Sequence, residues 1–164
     1  MNLNICKLHP AAIVPTYSTE GAACFDLYAA TVNGFDRIGD VVYQGHPVIV
    51  DTGLAFDVPP GWMLKIHPRS GLKFTHGVEA FSGVIDSDFR GSVRVLLESA
   101  GDHYESPQLR INPGDRVAQA SLVPAPRVTF TVVEQLSLTE RGAGGFGSTG
   151  SCLRRRSSYK FNSC

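Results

Sequence analysis

Asp86 and Asp88 lie two residues apart in Gly83-Val84-Ile85-Asp86-Ser87-Asp88-Phe89-Arg90-Gly91, directly behind an apolar pair that reads as a strand end. Carboxylates so placed serve as acid/base groups or as ligands for a hard cation. Phe89 offers a flat apolar face to a ring. Asp and Gly also favour turns for backbone reasons alone, so an ordinary acidic turn competes with that reading.

Three other stretches could bind an anion. Pro68-Arg69-Ser70-Gly71 puts a guanidinium and a hydroxyl at a strand end, suited to two phosphate oxygens; a structural Arg at a turn is the plain alternative. Gly114-Asp115-Arg116-Val117-Ala118-Gln119 reads as a turn entering a strand, where the Gln119 amide can donate to a phosphate or simply face water. Arg141-Gly142-Ala143-Gly144-Gly145-Phe146-Gly147-Ser148-Thr149-Gly150 is too glycine-rich to fold alone, but its backbone N–H groups can converge on an anion. It is no Walker loop, since no Gly-Lys-Ser/Thr follows. A plain linker has little reason to hold Arg141 and Phe146, which can pair with phosphate and stack on a base. Together these parts describe a nucleoside-triphosphate site with carboxylates suited to Mg2+.

Those groups must be positioned by a fold that the rest of the chain bounds. The 164 residues suffice for one domain with a sizeable core. Fifteen basic and fifteen acidic side chains cancel, so nothing draws the whole chain to nucleic acid or membrane. No apolar run nears the roughly 18 residues of a membrane span, and no signal peptide opens the chain, which suits a cytoplasmic protein (or one in a host's cytoplasm, for a virus). Cys6, Cys24, Cys152 and Cys164 lack metal-ligand spacing and read as reduced thiols.

Short apolar runs separated by Gly/Pro turns predict an all-β sandwich or barrel. Strands are expected over 3–8, 21–30, 47–50, 54–58, 62–67, 93–97, 117–123 and 128–133, and Leu109-Arg110-Ile111 leads into the turn Asn112-Pro113-Gly114-Asp115. Residues 78–85 read as a tight hairpin about Ser82-Gly83, and 31–46 and 99–108 as polar loops. Asp26 is the one acid in its apolar run and needs partners if buried.

At this point the chain resembles the trimeric deoxyuridine triphosphatase (dUTPase) family, whose five ordered motifs match residues 22–30, 68–72, 83–91, 114–119 and 141–150. The resemblance implies a jelly-roll β domain over 1–136, a glycine-rich arm over 137–150 that closes an active site, and a basic, Ser-rich, disordered tail over 151–164. It implies Mg2+-dependent hydrolysis of dUTP to dUMP and pyrophosphate, which keeps uracil out of DNA and supplies dUMP for thymidylate synthesis. It further implies a homotrimer with sites at subunit interfaces and no direct contact with nucleic acid or membrane.

Carried over by residue, Asp86 is the base that activates water. Phe89 lies against the deoxyribose. Ala80, Gly83, Val84 and Ile85 frame the uracil reader, which works through backbone groups. Arg69, Ser70, Gly71 and Gln119 hold phosphates. Arg141, Phe146, Gly147, Ser148 and Thr149 clamp the terminal phosphate and cover the base, and Asp26 reaches the metal through water. Asp88 is expected to brace the turn under Asp86.

The chain departs from the family in two places: Phe89 stands where Tyr is more usual, and Lys73 where a small residue is usual. Two rivals remain. A dCTP deaminase would need a Glu at the position of Leu96, whereas Glu98 lies two residues on. A non-enzymatic jelly roll would have no use for Asp86.

Overall fold

The structure is a computed structural model that describes residues 1–43, 45–99 and 109–145. The chain divides after Val128 into a compact unit, Met1–Val128, and a C-terminal unit. In chain order the compact unit holds β1 (Asn4–Lys7), β2 (Phe25–Tyr28), β3 (Thr31–Val32), β4 (Asp40–Val42), β5 (Val48–Asp51), β6 (Leu54–Asp57) and β7 (Trp62–His67). Then come α1 (Ser70–His76), β8 (Val78–Ala80), β9 (Val84–Ile85), β10 (Arg94–Ser99), β11 (Leu109–Ile111) and β12 (Arg116–Pro124).

Two four-stranded antiparallel sheets dominate, ordered β2-β12-β7-β9 and β3-β5-β10-β8; the pairs β1-β6 and β11-β4 complete the jelly roll. Alternation sets the inner faces. Val48 and Val50 are buried while Ile49 points out, and Val95 and Leu97 are buried on either side of Leu96. With Leu27, Leu54, Phe56, Leu64, Ile66 and Ile111 they form one core. Each such side chain contributes about 1.5–3 kcal/mol by leaving water.

Most expected strands are present, and four readings need correction. Residues 31–46 are not only loop: β3 and β4 lie there, and Val32 and Val42 are fully buried. Residues 78–85 do not form a hairpin, because β8 pairs with β10 and β9 pairs with β7, in different sheets. Residues 128–133 are not a strand. With no partner strand, Val128, Phe130 and Val132 stand exposed. The segment after Pro68 coils into α1, which buries no residue and so leaves no periodic signal. Gly77, at φ 61°, closes that helix in the left-handed conformation. Of the expected loop 99–108, Ser99 belongs to β10 and the remainder lies outside the described residues.

Candidate active site

The outer face of β2-β12-β7-β9 carries the first group. Gln119 of β12 pairs across to Asp26 of β2 on one side and His67 of β7 on the other. Asp26 is buried between two guanidinium groups. Arg69 Nε donates to Oδ1 at 3.1 Å and Arg116 Nη1 to Oδ2 at 3.2 Å. Arg69 Nη1 also donates to the Arg116 carbonyl at 3.1 Å. A carboxylate this buried persists only with such partners. Its job here is to fix both cations while leaving each with spare N–H donors.

Arg116 went unnoticed in the sequence for a geometric reason. Residues 116 and 119 are three apart, so an unbroken strand would send them to opposite faces. The register shifts between Arg116 and Ala118, and this bulge turns Arg116 to the Asp26 side. Gly114-Asp115 shapes the turn before it. The Asn112 N–H donates to Asp115 Oδ2 at 2.7 Å, and Gly114 has φ 93°.

Gln119 Nε2 donates to the Pro68 carbonyl at 2.9 Å, which ties β12 to the start of α1. Ser70 and Gly71 form the exposed first turn of α1, where backbone N–H groups have no intrahelical acceptor. Arg69, Arg116, Gln119, Ser70 and Gly71 thus gather spare donors in one place, with Asp26 beneath them. Lys73, one turn on, forms an ion pair with Glu79 of β8.

Asp86 belongs to a second group. β9 pairs Val84 with Lys65 and Ile85 with Leu64, so Asp86, next in line, falls level with Met63. It opens with Trp62, Met63, Val84, Asp88 and Arg127 onto a cavity of about 530 Å3. The cluster around Gln119 is level with His67, four residues along β7, or ~13 Å by strand rise. Within one chain the expected base and the expected phosphate ligands stand apart.

Asp86 is exposed, and among the described residues its carboxylate has no hydrogen-bond partner. Its turn is closed by the Phe89 N–H donating to the Asp86 carbonyl at 3.2 Å. Asp88 makes no side-chain hydrogen bond among the described residues, which corrects its assigned bracing role. Arg90 does that work instead: Nη1 donates to the Ser87 carbonyl at 2.8 Å, and Nη2 to Asp57 Oδ1 of β6 at 2.8 Å. Gly91 lies at the bend before β10 and also makes room for a neighbouring ring. A Cβ there would come within 2.6 Å of the Phe89 Cζ, so the missing side chain makes room for the ring.

Ala80 is 3% exposed and can offer only backbone to a ligand. The Gly83 carbonyl accepts from the Ile66 N–H at 2.8 Å, and the Phe81 N–H donates to the Leu96 carbonyl at 2.8 Å. Between these anchors the Phe81 carbonyl, both Ser82 backbone groups and the Gly83 N–H have no backbone partner among the described residues. In the C-terminal unit, Arg141 is exposed and its Nε donates to the Gly144 carbonyl at 2.7 Å. Phe146, Gly147, Ser148 and Thr149 lie outside the described residues, as does the tail from residue 151.

The dUTPase family profile matches residues 11–150. The chain belongs to the dUTPase family. This dUTPase-family chain is 42% identical to the deoxyuridine 5'-triphosphate nucleotidohydrolase of Nautilia profundicola, over 92% of the chain and 99% of that protein. It is 39% identical to the Wolinella succinogenes protein of the same name, over 92% and 95%. Among solved structures it is similar to the dUTPase of Staphylococcus bacteriophage 80alpha with dUpNHpp, with TM-score 0.80, 22% identity, and 92% of this chain and 99% of that one covered. It is also similar to the dUTPase of phage phi11 of S. aureus, which coordinates a structural Mg(II) ion, with TM-score 0.70, 19% identity, and 82% and 98% covered. At those identities the likeness shows the jelly-roll fold. No helix of the described residues is long and apolar enough to cross a membrane.

Proposed function

We propose that this chain is a dUTP diphosphatase that hydrolyses dUTP to dUMP and pyrophosphate in a homotrimer, with each site assembled from more than one chain. The observation that carries the assembly is the separation of Asp86 from the Arg69–Asp26–Arg116–Gln119 cluster along β7. A second copy can supply the missing half. The exposed apolar side chains from Val128 to Leu138, unpartnered in a single chain, favour such association.

In this reading Arg69, Arg116, Gln119 and the first turn of α1 hold the phosphates. Asp86, open to water, takes the proton of the attacking water. Phe89 supports the sugar, and the free backbone groups of residues 81–83 read the base edge. Arg141, with Phe146, Gly147, Ser148 and Thr149, closes the site, and positioning and charge supply most of the rate.

The residues present fit Mg2+ as an ion held by substrate. Among the described residues no three acidic, His or Cys side chains cluster to cage a metal. Both Asp26 oxygens accept from guanidinium groups, so Asp26 would support an ion only through water, in keeping with the reluctance of Mg2+ to shed its waters. When bound, the ion neutralises phosphate charge.

The deaminase alternative fares worse. Leu96 pairs with Ile49 and its carbonyl accepts from the Phe81 N–H, while Glu98 is level with Glu79, two residues further along the ladder. The deciding experiment measures pyrophosphate and ammonia release across dUTP, dTTP, dCTP and UTP. Preferred pyrophosphate release from dUTP is expected; ammonia from dCTP overturns the reading.

A further inference from the structure

Several large apolar side chains of the compact unit stand exposed, Phe35, Phe74 and Phe81 among them, and of these three Phe81 is the one that borders the 81–83 crossover. Phe81 is 67% exposed in a segment that is otherwise well anchored. Its N–H is fixed to the Leu96 carbonyl, continuing the β8–β10 ladder by one residue. Ala80 points into the core, so strand alternation turns the Phe81 ring outward. The ring therefore stands at the head of the crossover whose carbonyl and N–H groups have no backbone partners. Unpartnered backbone groups beside a fixed, exposed aromatic form a mixed surface suited to a small planar heterocycle. The groups meet its polar edge, and the ring covers apolar atoms and excludes water.

We propose that Phe81 is a specificity-determining residue whose ring walls the base subsite, opposite the sugar-supporting Phe89. This rests on the dUTP-hydrolysing reading and adds a side chain to it. Gly83, Val84, Ile85 and Asp86 run between the two aromatics. A pyrimidine nucleotide laid along them meets Phe89 at its sugar and Phe81 beyond its base, two residues past Gly83. Neither ring touches the reacting phosphorus, so losing Phe81 weakens substrate and transition state alike. That pattern raises KM and spares kcat.

The test compares wild type, Phe81→Ala and Phe81→Leu for pyrophosphate release from dUTP and dTTP, with subunit stoichiometry measured by light scattering. The expected result for Phe81→Ala is a KM for dUTP raised about tenfold, a kcat within about twofold, reduced preference over dTTP and an unchanged oligomer. Phe81→Leu, which keeps apolar bulk, should recover most of the loss and guards against a folding defect in the smaller variant. A KM within twofold of wild type in Phe81→Ala overturns the proposal. So does loss of the oligomer in either variant, which would assign the ring to a subunit contact. Wild type inactive on dUTP would instead strike the underlying functional reading.

Discussion

Asp86 stands level with Met63 at the start of β7, while Arg69 follows the other end of that strand. A strand is stiff on this scale, so no local rearrangement brings the carboxylate to the guanidinium within one chain. The consequence is a complementation experiment. Asp86→Asn and Arg69→Ala chains, each inactive alone, should regain activity when refolded together, because some sites then draw an intact Asp86 and an intact Arg69 from different chains. Mixed preparations as inactive as the parents would place both residues of a site in one chain.

Asp86→Asn by itself should lower kcat by about a thousandfold, the usual worth of a positioned base. dUTP should still bind, since the phosphate ligands are elsewhere. Calorimetric titration with a non-hydrolysed dUTP analogue checks the binding half; turnover near wild type removes Asp86 from the role of base.

Arg116→Ala should raise KM for dUTP about tenfold, the loss of one charge-assisted hydrogen bond. Asp26→Ala should be worse in two ways. It frees both guanidinium groups from their shared anchor and removes a buried ion pair, costing about 2 kcal/mol after allowing for the exposure of Arg116. Chemical denaturation and steady-state kinetics on the two variants separate these effects. Equal stability of Asp26→Ala and wild type would show the anchor to be dispensable.

Much of this was legible in the sequence. Alternation and turn residues marked β1, β5, β6, β7, β10 and β12, and the family resemblance offered Asp86, Arg69 and Gln119 as site candidates. What stayed hidden depends on three-dimensional partners. The bulge that turns Arg116 toward Asp26 has no composition of its own. Residues 128–133 have strand propensity but no partner strand among the described residues, and propensity without pairing makes no strand. The two apolar runs around Ser82 looked like a hairpin because local pattern says nothing about which sheet each joins. Gly91 reads as a turn former and does sit at a bend, but the room its missing Cβ leaves for the Phe89 ring has no sequence signal.

That last contact gives a direct test. Gly91→Ala pushes a Cβ against the tip of the part-exposed Phe89 ring, which can swing aside, so it should destabilise the chain by about 1 kcal/mol or less while raising KM for dUTP. Adding Phe89→Leu in the same chain should relieve the strain. If the double variant is no more stable than Gly91→Ala, the contact is not the cause.

Asp40 supplies a pH dependence away from the site. The Val41 N–H, at 2.7 Å, and then His46 and Asn33 hold its carboxyl below the ordinary 3.8. A depressed value means the charged form stabilises the fold above the ordinary carboxylate range. That stabilisation is lost as pH falls through the lowered value. Asp40→Asn should therefore be less stable than wild type at neutral pH and converge with it in strong acid. A stability gap that stays constant down the acid range would rule this out.

The Asp26 pairing also bears on what leaves the site. Two unshared guanidinium groups would grip any polyphosphate, including pyrophosphate after cleavage. One carboxylate divided between them halves the charge an arriving anion meets without loosening the geometry that orients it. If the cluster holds phosphates as proposed, the arrangement gives up affinity for anions in general and keeps shape, and a released product can escape a pocket still set for the next triphosphate.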